Sequence, residues 1–332
     1  MADGTLLAND LRPSFGAPRP RIEIALVNNM PDAALQATER QFASLVEEAA
    51  RDDFEVNLSL YAMPETPRGD LARASMRERY ATTDALKQAG TDALIVTGAE
   101  PLADDLRDEP YWSALATLVD WARTSTVSAV WSCLAAHAAV LHLDGIVRQP
   151  LASKCSGVFT FERTGEAPLT AGLPGLVRIP HSRRNALPPA QLEARGYRVL
   201  TRSPRAGADV FVRDGQSLFV FLQGHPEYDA DSLLREYCRD VGRYLRGQQA
   251  EYPHSPHGYF DAETERSFRA LAVRARSDRD PRLVGWSSEI ATAMRPARPW
   301  RAQAVMLFRN WLELVAAGKA ATTGEPARRL QA

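Results

Sequence analysis

Val127-Ser128-Ala129-Val130-Trp131-Ser132-Cys133-Leu134-Ala135-Ala136-His137 is an apolar run, short enough for a buried strand, that meets a lone cysteine and then passes into alanine-rich sequence of high helix propensity. Well downstream, Leu218-Phe219-Val220-Phe221-Leu222 has the same buried-strand character and ends in Gly224-His225-Pro226-Glu227. A thiol at one strand end and a His-x-Glu at another are the parts of a Cys-His-Glu acyl-transfer triad. A cysteine at a strand-to-helix junction sits where free backbone N–H groups and the helix dipole favour a thiolate and can hold an oxyanion. The competing account of Cys133, a small core residue, is the usual one for a buried cysteine, and the strand-end context argues against it.

Outward from these two segments the chain alternates strand and helix patterns. Arg21 to Val27 and Phe54 to Ala62 read as strands, the second with apolar residues at period two. Ala37 to Ala50 has helical spacing, Met63 to Arg73 reads as a loop punctuated by Pro and Gly, and Asp84 to Gly90 reads as a helix end. Ala93 to Val96 is a short buried strand ending in Thr97-Gly98-Ala99, and Tyr111 to Arg123 is an amphipathic helix. This alternation predicts an α/β fold, a mostly parallel sheet with helices on both faces. Residues 157 to 220 read as short strands and turns, Asp231 to Leu245 as a helix. Within residues 251–299 only Glu263 to Arg276 has a helical pattern, and Arg301 to Leu314 is a final amphipathic helix. The expected organisation is a flexible arm at 1–20, an α/β catalytic domain at 21–250, a helical extension packed on it at 251–316, and a disordered polar tail at 317–332.

Composition excludes several function classes. At 332 residues the chain suits one large domain or two modest ones, and 45% apolar content supplies a sizeable core. A net charge of −1 leaves no basic excess for nucleic acid. Apolar runs are too short for a membrane span, and the first twenty residues lack a secretory h-region. Cys133, Cys155 and Cys238 form no C-x-x-C pair, so neither a zinc site, any other metal site nor a disulfide framework is expected, and a reducing cytoplasm fits.

Around the triad, Gly98 permits close backbone approach and offers a second oxyanion N–H beside that of Leu134, although glycine after a strand is commonly just a turn. Glu236 and Arg239, three apart on one helix, read either as a surface ion pair or, for Arg239, as a fork for a substrate carboxylate. Lys154 and Ser182 by themselves read as solvated loop positions, as does His181. His137 is expected to pack near the thiol, one helical turn on.

The stretches Asn29-Met30-Pro31, Leu94-Ile95-Val96-Thr97-Gly98-Ala99, Tyr111-Trp112, Lys154 with Ser156-Gly157-Val158, Pro180-His181-Ser182-Arg183, Gly224-His225-Pro226-Glu227-Tyr228-Asp229-Ala230 and Asn310-Trp311-Leu312 run in order through most of the chain. In these the chain resembles the homoserine O-acyltransferases of the MetA type, whose fold is flavodoxin-like and similar to class I glutamine amidotransferases. The resemblance implies ping-pong transfer from an acyl-CoA cosubstrate to L-homoserine, with no cofactor, in a homodimeric enzyme of methionine biosynthesis. Cys133 would carry the acyl group, His225 act as base, Glu227 orient it, and Lys154, Ser182 and Arg239 contact substrate. Leu102 falls at the position that separates acyl donors, usually Gly for succinyl-CoA or Glu for acetyl-CoA. Lacking the Glu, the chain is expected to use succinyl-CoA, with acetyl-CoA the alternative. The chain departs from the family at Asp32 to Glu39, which lacks the lysines expected there. It departs again in Leu-Ala-Ala-His after Cys133, where Trp-Ala-x-Gln is usual, and at 261–295, which looks like an insertion. A glutamine amidotransferase-like hydrolase using the same triad and a catalytically silent binding protein are the competing classes.

Overall fold

The computed structural model describes residues 19–323; the arm expected at 1–20 lies outside the described residues except for its last two positions, and the end of the tail, from 324, lies wholly outside them. The first part of the chain is β1 (Arg21–Val27), α1 (Asp32–Ala50), β2 (Glu55–Ala62), α2 (Asp70–Met76), β3 (Tyr80–Thr82), α3 (Thr83–Ala89), β4 (Ala93–Val96), α4 (Trp112–Ser125), β5 (Ser128–Ser132) and α5 (Leu134–Asp144). There follow β6 (Gln149–Arg163), β7 (Leu176–Ala186), α6 (Pro189–Ala194), β8 (Arg198–Val199), β9 (Thr201–Ser203), β10 (Gly207–Ala208), β11 (Val210–Arg213) and β12 (Leu218–Leu222). The chain closes with α7 (Ser232–Leu245), α8 (Ala262–Ser277), α9 (Leu283–Ala293) and α10 (Arg301–Thr323).

The main sheet runs β3-β2-β1-β4-β5-β12-β11-β8. Its members from β3 to β12 pair in parallel, and β11 and β8 add an antiparallel edge. Numbered in chain order, the five central parallel strands lie in the order 2-1-3-4-5 of a flavodoxin-like sheet. β1 shows why both faces must be covered. Ile22, Ile24 and Leu26 point into one core with α1 and α10, while Ala25 and Val27 point into another with α3, α4 and α5. A strand buried on both sides reads as a continuous apolar run, as β1, β4 and β5 do.

A second sheet, β10-β9-β6-β7, is antiparallel and accounts for the turn-rich middle of the chain. α10 joins it to the main sheet: Trp311 donates its indole N–H to Ser128 Oγ at 2.9 Å, and Asn310 donates to the carbonyls of Leu169 and Ala171. Residues 251–299 add α8 and α9, which close over the apolar stripe of α7 formed by Leu234, Tyr237, Val241 and Tyr244. The segment before α8 also reaches the second sheet, where His257 exchanges backbone hydrogen bonds with Ser156 and Val158.

Three expectations need correction. The supposed loop at Met63 to Arg73 gives way to α2 from Asp70, which buries only Ala72 and so carries no apolar stripe to announce it. Residues 251–299 hold a second helix, α9, that buries only Ser287 and Ile290. The disordered tail expected from 317 begins instead as the last turns of α10. Gly318 there lies so close to Val127 that a Cβ would come within 2.4 Å of it, and Lys319 Nζ donates to Arg21 O at 2.9 Å and to Asp92 at 2.7 Å. Polar composition hid contacts that need no apolar side chain. Among the described residues no helix is long and apolar enough to cross a membrane.

Gly157 carries φ +136°, and a Cβ on it would fall 2.3 Å from both N and O of His257. Gly157→Ala is therefore expected to lower unfolding stability by about 3 kcal/mol, through backbone strain and overpacking together. Urea denaturation checks this; an unchanged midpoint would mean that the His257 segment does not lie on β6.

Candidate active site

Strand register brings the site together. Leu222 pairs with Ser132, and Val96 pairs with Trp131, so β12 and β4 end level with β5 on either side of it. The residues just past these ends, Gly98, Cys133 and His225, therefore emerge at one carboxyl edge of the sheet, where open α/β sheets place their ligands.

Cys133 is the N-cap of α5, with φ +51° and ψ −113°. It is one of two non-glycine residues with positive φ among the described residues, a conformation that costs about 1–3 kcal/mol and marks a sharp strand-to-helix elbow. Its amide donates to Leu222 O at 2.7 Å, extending the β5–β12 ladder by one residue before the chain turns. Leu134 opens α5, so its N–H has no partner within the helix. A methyl placed on Gly98 would lie 2.9 Å from that nitrogen and 3.2 Å from Leu134 Cβ. The two backbones expected to form the oxyanion site are thus in direct contact, and only glycine fits the gap.

His225 is buried and lies within side-chain hydrogen-bonding reach of Cys133. Its Nδ1 meets Glu227 Oε1 at 2.8 Å, leaving Nε2 for the other partner. Burial alone would lower the imidazole pKa; the Cys133 thiol and the Glu227 carboxylate more than offset this and hold it well above the ordinary histidine value. Thiol, imidazole and carboxylate, taken from two distant parts of the chain, form one chain of contacts.

Beneath the His225 turn is a buried polar layer that sequence reasoning missed. His181, expected in a loop, is on β7 and fully buried, stacked on Phe161 with ring centroids 5.0 Å apart. Arg183 Nε donates to its Nδ1 at 3.2 Å, which places the ring proton on Nε2, 3.4 Å from Asp209 Oδ1. Asp209 accepts the Gly224 N–H at 2.5 Å, and the His225 N–H donates to Pro180 O at 2.8 Å. A Cβ on Gly224 would meet Ile179, Asp209 and His181 within 2.8 Å. His137, one helical turn on, donates its amide to Cys133 O at 3.3 Å, and its buried ring is bonded through Nε2 to Gln223 Oε1 at 3.0 Å; burial holds its pKa down to about 3.

Lys154 on β6, Ser182 on β7 and Arg239 on α7 converge on two acids of α7. Lys154 Nζ lies 2.7 Å from Asp240 Oδ2 and 3.5 Å from Glu236 Oε2. The hydroxyls of Ser182 and Tyr228 both donate to Glu236. Arg239 turns to Asp240, at 3.0 and 3.1 Å, so the surface pair expected between Glu236 and Arg239 does not form. Burial works to raise the Glu236 pKa, but Lys154 and the two hydroxyls outweigh it and hold the carboxyl below its usual value. The missed signal was Ser232, Glu236 and Asp240 at i, i+4 and i+8, a polar stripe on the sheet-facing side of the helix. Leu102 lies four residues past Gly98 with its side chain 71% exposed, its loop held by Glu109, whose Oε1 accepts the N–H groups of Leu102 and Ala103 at 2.6 and 2.8 Å. A separate cavity, lined by Asp120, Arg123, Arg213 and Ser217, opens at the opposite end of β5 and β12.

Fold and site together define a doubly covered α/β protein whose carboxyl-edge loops assemble a thiol, an imidazole and a carboxylate beside a charged cluster. The family model described as homoserine O-succinyltransferase matches residues 17–321. A homoserine O-succinyltransferase of Rhodopseudomonas palustris is 50% identical over 88% of this chain and 87% of its own length. One of Bradyrhizobium japonicum is 48% identical over 93% and 95%. The chain belongs to the homoserine O-succinyltransferase family, whose members are acyltransferases. Among solved structures, a glutamine amidotransferase of Thermotoga maritima aligns with 90% of this chain and 99% of its own, at 11% identity and a TM-score of 0.43.

Asp209 supplies a test of the buried layer. Burial raises its pKa from 3.8 to about 6, with the Gly224 N–H and Arg183 opposing. The folded protein thus binds this proton more tightly than the unfolded chain does. The contribution is full below about pH 4 and is lost as pH rises through about 6. Asp209→Asn keeps an acceptor for Gly224 and removes the charge. Relative to the parent it should gain stability between pH 4.5 and pH 7, by on the order of 2 kcal/mol. Urea midpoints at the two pH values read the difference, and a pH-independent difference would contradict the assignment.

Proposed function

We propose that this chain transfers the succinyl group of succinyl-CoA to the hydroxyl of L-homoserine, in two steps through Cys133. The observation that carries this reading is the contact of the elbow cysteine with an imidazole whose far nitrogen is held by Glu227. In the first step the Cys133 thiolate attacks the thioester carbonyl. The tetrahedral oxyanion is held by the N–H groups of Gly98 and Leu134, and the CoA thiolate leaves with the proton from His225. In the second, His225 takes the proton of the homoserine hydroxyl, the alkoxide attacks the Cys133 thioester, and the thiolate departs. Glu227 keeps the ring oriented and stabilises the imidazolium that gives up its proton in the first step and is formed again in the second.

The acceptor is read from charge. Lys154 and Arg239 oppose Glu236 and Asp240, and Arg243 lies 3.9 Å from Asp240 while pairing with Glu100, so three cations face three carboxylates in a cluster of no net charge. A zwitterionic amino acid matches such a cluster. Arg239 has donors beyond those used on Asp240 for the carboxylate, Glu236 faces the ammonium group, and Ser182 positions the remainder. On the donor side, Leu102 is not the Glu that the family resemblance ties to acetyl-CoA, and the succinyl reading agrees with the names of the relatives. The three free thiols and the acyl-CoA substrate suit the cytoplasm, and the product is a precursor for methionine.

Incubation with labelled succinyl-CoA in the absence of homoserine should leave a succinyl adduct on the Cys133 peptide, read by mass. Absence of the adduct together with full activity of Cys133→Ala would reject the covalent route, and faster turnover with acetyl-CoA than with succinyl-CoA would reject the donor. Cys133→Ser should lose most activity, since an alkoxide is far harder to form than a thiolate. His225→Ala should lower kcat on the order of a thousandfold, and Glu227→Gln by less. Equal losses from those two would contradict the division of roles between base and orienting carboxylate.

A further inference from the structure

The imidazole of His225 lies flat against the ring of Tyr228, with centroids 4.2 Å apart and planes 15° from parallel. The same tyrosine reaches the other half of the site, donating its hydroxyl to Glu236. It is held firmly from behind. Its amide donates to His225 O at 3.2 Å, and its carbonyl accepts both Arg298 Nε at 2.8 Å and Trp300 Nε1 at 3.2 Å. Arg298 also donates to Glu227 O at 3.2 Å, so the short segment between α9 and α10 clamps the whole His225–Tyr228 turn. Trp300, 1% exposed, packs with Tyr228, Val158 and Leu233.

We propose that Tyr228 is a positioning residue that ties the base to the acceptor subsite: its ring face holds the imidazolium form of His225 while its hydroxyl orients Glu236 toward the substrate ammonium group. An aromatic face is electron-rich, so it attracts a cation stacked on it and gives little to the neutral ring. Each step of the proposed reaction passes through His225 in its protonated form. The charged and titratable groups that face His225 are Cys133 at the head of α5, Glu227 in its own turn, Asp209 before β11, His181 on β7 and Glu236 on α7. Tyr228 adds to these a neutral surface that discriminates between the two states of the ring. The Tyr228–Glu236 hydrogen bond then couples ring position to acceptor binding, so one side chain serves both.

This rests on the roles given above to His225 and Glu236. Its test separates the two halves. The pH dependence of Cys133 alkylation by iodoacetamide, read on the Cys133 peptide in the free enzyme, reports the thiolate–imidazolium pair and needs no acyl donor. Tyr228→Leu removes the ring and should move the upper bend of that profile, where the imidazolium beside the thiolate loses its proton, downward by about half a pH unit. Tyr228→Phe keeps the ring, should leave the bend in place, and should raise KM for homoserine about fivefold with kcat within about twofold. A bend that moves equally in both variants would overturn the ring's role. An unchanged homoserine KM in Tyr228→Phe would overturn the hydroxyl's role, and that outcome is readable even where the leucine variant fails to fold. If the unmodified enzyme takes no succinyl adduct yet the alkylation profiles separate as described, the donor assignment has failed and the ring contact stands.

Discussion

The parallel pairing of β5 with its two neighbours is the constraint on which the rest of the site depends. Because Ser132 is level with Leu222 and Trp131 with Val96, three strand ends reach the same edge, and the residues one to three positions further on have nowhere else to go. The ladder continues through the Cys133 amide to Leu222 O and then breaks into the positive φ of the elbow. A residue in that conformation persists only where its surroundings over-determine it. Here β5 is buried along its whole length, Trp131 fills the core beneath it, and the start of α5 is packed against Gly98. The strain sits in the one residue whose side chain must project clear of both strand and helix.

The remainder of the molecule supplies the charged cluster beside the triad. The antiparallel sheet brings Lys154 and Ser182 to α7, and α7 answers with Glu236, Asp240 and Arg239. The helices of residues 251–299 contribute no charged group to this cluster. They cover the apolar stripe of α7 and deliver the Arg298–Trp300 segment to the back of the His225 turn. What reads in sequence as an insertion is, in space, the support of two elements that carry candidate site residues.

Legibility followed apolar patterning. The strands β1, β4, β5 and β12 are buried on both faces and read directly as apolar runs, and with them came the sheet and the placement of Cys133 and His225. The resemblance to a known family carried Lys154 and Ser182, which neither spacing nor composition marks out, and favoured the substrate-fork reading of Arg239 that helix spacing had left open. Elements with few fully buried residues were hidden: α2 buries only Ala72, α9 packs half-buried residues such as Leu283 and Trp286 against α7, and the last turns of α10 are held by the close approach of Gly318 to Val127 and by Lys319. Polar residues buried by tertiary packing were hidden too. His181 lies in a stretch rich in Arg and Ser, and nothing local says that Phe161 will cover it. Glu236 has a cation three residues away, which invites a surface pair, while the partners it actually takes are Lys154 and Ser182 from two distant strands and Tyr228 from the turn eight residues before it. The two strand partners are long-range, and single-sequence reading sees only short-range ones.

The central claim is that Cys133, His225 and Glu227 act on one another as a charged unit. Histidine ring 15N shifts measured on the free enzyme near neutral pH test it most directly. The account predicts an imidazolium signature for His225, with His137 and His181 neutral, and reversion of His225 toward a neutral ring when Cys133 is replaced by alanine. A neutral His225 in the unmodified protein, unchanged by that replacement, would contradict it.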